Sequence, residues 1–192
     1  MKTQWQRLAG FTLIEVLVAL LLLAVGALGA GAMALQARRA GQQSVLLSAA
    51  VQLASRAGES MRANRLASTA TDAANPYLQL DYDALADGPP AVADDCSVLL
   101  CDGAALAAAD LAALRQALFE RFSLGRIKIC RDSAWWDSAA AALRWECNGA
   151  SGAPLVVKIG WRQRQAAAGE VAGGAPVWVA LPLVLAADGS AP

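Results

Sequence analysis

From Phe11 to Leu35 the chain carries one charged side chain, Glu15, in an otherwise apolar run. As a helix rising about 1.5 Å per residue, this run spans roughly 37 Å, enough for a bilayer core. A carboxylate within such a segment costs about 2.5–3.5 kcal/mol at the helix centre, so its presence marks a function. A short basic leader, Met1 to Gly10 with Lys2 and Arg7, precedes the run and ends in glycine. No proline occurs before Pro76, so one helix is predicted from Phe11 to about Asn64. Gly26, Gly29, Gly31, Gly41 and Gly58 loosen it locally, at about 1 kcal/mol each against alanine. Beyond the apolar run, Leu46, Ala50, Leu53, Ala57 and Met61 recur at three- and four-residue intervals and form a stripe. Arg38, Gln42, Arg56, Glu59 and Arg62 lie largely off it. One helix therefore has two halves with different solvents: an all-round apolar half and an amphipathic half suited to pack on a domain.

The order Gly10-Phe11-Thr12-Leu13-Ile14-Glu15 resembles the class III signal of type IV prepilins. The resemblance implies that prepilin peptidase cuts after Gly10, that Phe11 becomes the N-methylated first residue, and that Glu15 is the docking acid of assembly. Many major pilins carry a proline partway along the apolar half; the matching place here is Ala32, flanked by glycines. Two plainer readings compete. A simple membrane anchor accounts for the length but not for Glu15. A cleaved secretory signal accounts for Ala32-Met33-Ala34, yet its apolar region would be unusually long and would hold an acid.

Net charge over the 192 residues is zero, which argues against a protein built to bind polyanions, and the length suits one globular domain beyond the helix. Residues 1–65 hold Lys2, Arg7, Arg38, Arg39, Arg56, Arg62 and Arg65 against Glu15 and Glu59, whereas residues 66–110 carry aspartates and no basic residue. Basic residues flank both sides of the apolar run, so the positive-inside rule gives little bias. The four cysteines, in a chain without histidine, fit two disulfides and place the domain in an oxidising compartment.

Downstream, Thr69 to Asp95, with Asn75-Pro76 and Gly88-Pro89-Pro90, reads as a long surface connection. Leu106 to Phe122 reads as a second helix with Leu106, Leu111, Leu114, Leu118 and Phe122 near one face, stopped by Ser123-Leu124-Gly125. Arg126 to Cys130 alternates as a strand, and Leu143 to Cys147 is a candidate partner for it. Along Leu155 to Gln165, Val157, Ile159 and Trp161 point one way and Lys158, Arg162 and Arg164 the other, the pattern of a sheet with one solvated face. A flexible Ala/Gly stretch, Ala166 to Ala175, leads to a strand at Val177 to Leu185, where Pro182 suggests an edge or a bulge. Helices first and an antiparallel sheet after them give an α+β fold. Cys96 and Cys101 suit a small local loop, and Cys130 and Cys147 suit a bridge between neighbouring segments, although four cysteines allow three connectivities. A four-cysteine zinc site is disfavoured by the wide second spacing.

The succession Asp95-Cys96, Cys101, an alanine-rich helix and a cysteine-containing hairpin resembles the PilV family of minor pilins, as do GFTLIEVLVALLLLAVGALG and Ile159-Gly160-Trp161-Arg162. That resemblance implies a type IV pilin-like fold: leader 1–10, membrane and assembly helix 11–35, amphipathic half 36–65, and a periplasmic domain 66–192 with two disulfides. It implies a subunit without enzymatic activity, cofactor or metal, inserted in the inner membrane and later extruded into a pilus. Its partners would be prepilin peptidase, the inner-membrane assembly platform, other minor pilins, the major pilin and a tip adhesin. A type II secretion pseudopilin shares the same N-terminus. A DNA-binding or adhesive tip module is the rival of another class, with Lys158, Arg162 and Arg164 or Trp135-Trp136 as its sign; a solvated strand face and a hairpin tip packed on the sheet are the simpler readings. Asp81, Asp83 and Asp87 resemble a calcium loop only in part, since Leu85 and Ala86 stand where an EF-hand needs an oxygen ligand and glycine.

Overall fold

The computed structural model describes residues 12–91, 96, 100–162 and 175–183. Gly10, Phe11, Arg164 and the Ala/Gly stretch up to residue 174 lie outside them. Helix α1, Leu13–Ala63, runs unbroken for 51 residues, through Ala32 and its neighbouring glycines. It contributes to two compact units, one up to Val45 and one from Leu46 onward. In the first unit every described side chain except that of Gln43 is exposed, including Leu13, Ile14, Leu17, Leu21 and Leu28. The helix is long and apolar enough to cross a membrane, with none of its most apolar stretch buried.

The second unit begins with the amphipathic end of α1, whose Ala50, Leu53, Ala54, Ala57, Gly58 and Met61 are buried. Small residues on this stripe let the helix sit close; a side chain added at Gly58 would meet Leu183 at 3.0 Å. A short helix α2, Arg65–Ser68, and a 3-10 turn, Pro76–Gln79, follow. Strand β1, Asp81–Asp83, comes next, and then helix α3, Gly103–Arg121. The remaining strands are β2, Arg126–Arg131; β3, Trp136–Asp137; β4, Ala142–Leu143; β5, Leu155–Gly160; and β6, Val177–Leu183.

Four strands form an antiparallel sheet in the order β1-β2-β5-β6, and β3 and β4 form a separate ribbon. One face of the sheet offers Ile127, Ile129, Leu155, Val157 and Ile159 to the buried faces of α1 and α3, where the core lies. Phe122, Trp161 and Trp178 extend it, with ring centroids 5.2 and 5.6 Å apart, each such pair adding about 0.5–1.5 kcal/mol to area burial. A long N-terminal helix on an antiparallel sheet with a further helix is α+β and consistent with the type IV pilin-like fold.

Three expectations need correction. The segment after Thr69 is not merely a surface connection: Asn75, Tyr77, Leu80 and Tyr82 are buried, and β1 completes the sheet edge. The asparagines make this burial tolerable by bonding backbone, Asn75 Nδ2 to the Ser68 carbonyl and Asn64 Nδ2 to that of Gly103. Second, the β2 strand pairs with β1 and β5, whereas Ala142–Leu143 pairs with β3 and residues 144–147 lie in no strand. Third, β5 has no solvated face. All six of its residues are buried, because the connection from Asp132 to Pro154 folds back over the side of the sheet away from the helices. Arg162, just beyond it, is buried as well.

Candidate functional site

Two places carry chemistry that the fold alone does not require. The first is the start of α1. Thr12 stands just before the helix, and its Oγ1 and carbonyl both accept from the Glu15 amide, at 3.3 and 3.1 Å. Thr12 therefore caps the helix, and Thr12-Leu13-Ile14-Glu15 has the S/T-x-x-E form of a capping box. That signal was readable in the sequence and marks Thr12 as a residue the charge argument overlooks. Glu15 falls in the first helical turn, where the helix dipole favours an anion by about 0.3–1 kcal/mol. Along α1 the next charged side chain is Arg38, about 35 Å away at 1.5 Å per residue, so no residue of the helix itself can neutralise Glu15. Placed in a low-dielectric medium, an exposed carboxylate beside Ile14, Val16 and Leu17 would need a cation or a strong hydrogen-bond donor from outside α1.

Residues 5–31 match the prokaryotic N-terminal methylation motif. This is the type IV pilin-like prepilin signal, and it spans Gly10, Phe11, Thr12 and Glu15. No curated protein and no solved structure matches the chain. The prepilin signal supports a substrate of the type IV pilin or pseudopilin class, processed by prepilin peptidase, and the exposed apolar helix that follows is consistent with a single-pass anchor.

The second place is the outer face of β5. Lys158 and Asp132 are both fully enclosed, with Nζ 2.5 Å from Oδ2. The ammonium also donates to the carbonyls of Arg144, at 2.9 Å, and Glu146, at 2.7 Å, so all three of its protons are engaged. Burial opposes ionisation of Asp132, but the Lys158 hydrogen bond, the Ala134 amide and the Lys158 charge outweigh it and hold the carboxyl below its usual range. Nearby, Trp145 donates Nε1 to the Ala175 carbonyl at 2.6 Å, and the Arg126 guanidinium lies 4.6 Å from a Trp145 ring centre. These contacts are structural: Lys158 is sealed from solvent and cannot meet a phosphate backbone.

The cysteines pair as Cys96–Cys101 and Cys130–Cys147, with Cα atoms 5.5 and 6.3 Å apart. Cys101 directly precedes Asp102, whose side chain caps α3 by accepting from the Ala105 amide at 2.8 Å. Trp136 lies on β3 with about half its surface exposed (54%), while Trp135 beside it is half-buried. Of the aspartates that resemble a calcium loop in part, Asp81 is held by Arg126 and Lys128, while Asp83 and Asp87 accept from backbone amides of their own turn. Tyr77, raised well above the usual phenol range by burial and by its bond to Asp110, joins the 3-10 turn to α3.

Proposed function

We propose that the chain is a minor pilin of the PilV type, a structural subunit and not an enzyme. Prepilin peptidase cuts between Gly10 and Phe11 and methylates the new Phe11 amine. The mature chain then holds 11–35 as membrane and assembly helix, 36–65 as its amphipathic continuation and 66–192 as a periplasmic domain with two disulfides. From the inner membrane it is extruded by the assembly platform into a pilus, where it primes assembly or sits at the tip beside other minor pilins, the major pilin and a tip adhesin. The observation that carries this reading is the methylation motif over residues 5–31, ending its signal in a capped helix with Glu15 in the first turn. Glu15 is the docking acid, because no group of its own helix neutralises it; its partner is the N-terminal amine of a neighbouring subunit.

Intact-mass analysis of protein from a host with prepilin peptidase tests the processing step. The expected species lacks Met1 to Gly10 and carries one added methyl group; a chain beginning near Leu35 overturns it. Deletion of the gene separates pilus from secretion: loss of twitching motility is expected, and loss of enzyme secretion with motility intact assigns the chain to a type II pseudopilin.

A further inference from the structure

Closing the loop between Cys130 and Cys147, 17 residues apart in sequence, costs chain entropy. In this protein the same loop is closed twice. Asp132 lies two residues after Cys130, and Glu146 lies one residue before Cys147. Lys158, from β5, holds both: its Nζ pairs with the Asp132 carboxylate and donates its remaining protons to the carbonyls of Glu146 and Arg144. The ammonium thus spans the two ends of the loop from within the sheet. We propose that Lys158 is the template for the Cys130–Cys147 disulfide, fixing Cys147 opposite Cys130 before any sulfur–sulfur bond exists.

The redox step needs only a disulfide oxidant, such as glutathione disulfide. One cysteine thiolate attacks it, forming a mixed disulfide and releasing one glutathione thiolate. The second cysteine thiolate then attacks the protein sulfur of that bond, closes the bridge and releases the second glutathione. Two electrons pass to the oxidant, and the two cysteine protons leave with the thiols or to solvent. Lys158 takes no part in the bond changes. It raises the local concentration of one thiol at the other, an effect that belongs to this pair alone, since Cys96 and Cys101 lie five residues apart and need no such aid.

The ribbon that the template secures has further backbone ties: the Arg144 amide donates to the Trp135 carbonyl at 3.0 Å, and the Gly149 amide to that of Arg131 at 3.1 Å. In the fully reduced wild-type chain these amides should stay protected from hydrogen exchange, because the ammonium persists when the sulfurs part. Fast exchange at both after reduction overturns the proposal.

The decisive experiment equilibrates the full chain, in detergent micelles, with glutathione redox buffers and maps each cysteine pair by alkylation and peptide mass. In Lys158→Met the equilibrium constant for the Cys130–Cys147 pair should fall about tenfold or more, with Cys96–Cys101 unchanged within about twofold. An unchanged Cys130–Cys147 pair overturns the proposal. Because Lys158→Met leaves the buried Asp132 carboxylate without its cation, the double variant Asp132→Leu/Lys158→Met is measured alongside and decides if the single variant fails to fold. The same selective fall in the double variant supports the template; a wild-type value, or a joint fall of both pairs, overturns it.

Discussion

Gly160 shows how one absent side chain can be required by geometry. It ends β5 at a register shift against β6, where Ile159 pairs with Val179 and Gly160 with Val177. A Cβ there would run into the Pro176 carbonyl and approach Trp145 Cζ2 to 2.8 Å, and backbone cannot give way as a flexible side chain does. Gly160→Ala should therefore cost about 3 kcal/mol, the upper part of the usual overpacking range, read as a lower denaturant midpoint. Asp132 makes a different demand, on pH. Its folded-state carboxyl titrates below the ordinary value of 3.8, so its contribution is complete above that value and is lost as pH falls through the lower folded one. Wild-type stability should drop between about pH 5 and pH 2 more steeply than that of Asp132→Leu/Lys158→Met, as followed by urea unfolding at each pH. A parallel fall in both proteins would remove Asp132 from the account. Sequence alone reveals neither demand. Gly160 looked like the continuation of a strand, and Asp132 acquires its importance from a lysine 26 residues away.

At the scale of elements, periodicity was legible wherever one surface of an element meets the core and the other meets solvent. The stripe from Ala50 to Met61 and the row Leu111, Leu114, Leu118 and Phe122 both occupy the buried faces expected of them. Leu106 does not; it is 36% exposed, and Ala107 takes the inward position. The helix also begins earlier than apolar spacing suggests, because Asp102 supplies the cap before any leucine is reached. Asp102→Ala should lower stability by about 1 kcal/mol with little change in the denaturant slope; a change in slope instead would point to altered compactness. The alternation in β5 was misread for a reason that alternation cannot reveal. Lysine on the second face of a strand normally means water, but here the connection from Asp132 to Pro154 supplies a carboxylate and two carbonyls in place of water. Likewise the aspartate-rich segment looked solvated because composition cannot show that Asn64 and Asn75 would satisfy the backbone around a buried Tyr77.

For the whole molecule, the fold class and the prepilin signal were both open to reading from the N-terminal quarter and the order of elements, since each rests on local pattern. Glu15→Ala tests the assembly reading at this scale. Removing the carboxylate makes the segment cheaper to place in lipid, so membrane fractionation and melting of the domain should match wild type. Incorporation into sheared pili should fall severely at matched expression, and normal incorporation would dismiss Glu15 as the docking residue. Lys158 adds a consequence for how such a chain can diversify. Beside the Asp132 carboxylate, its grip on the connection over β5 is to main-chain oxygens of Arg144 and Glu146, atoms that every amino acid possesses. The outward side chains of Ser138, Ala139, Ala140 and Ala142 are exposed and take no part in that fastening, whereas Ala141 holds a left-handed backbone, φ 48°, that restricts its replacements. Side chains at those four positions can therefore vary without loosening the point at which Lys158 fastens the connection.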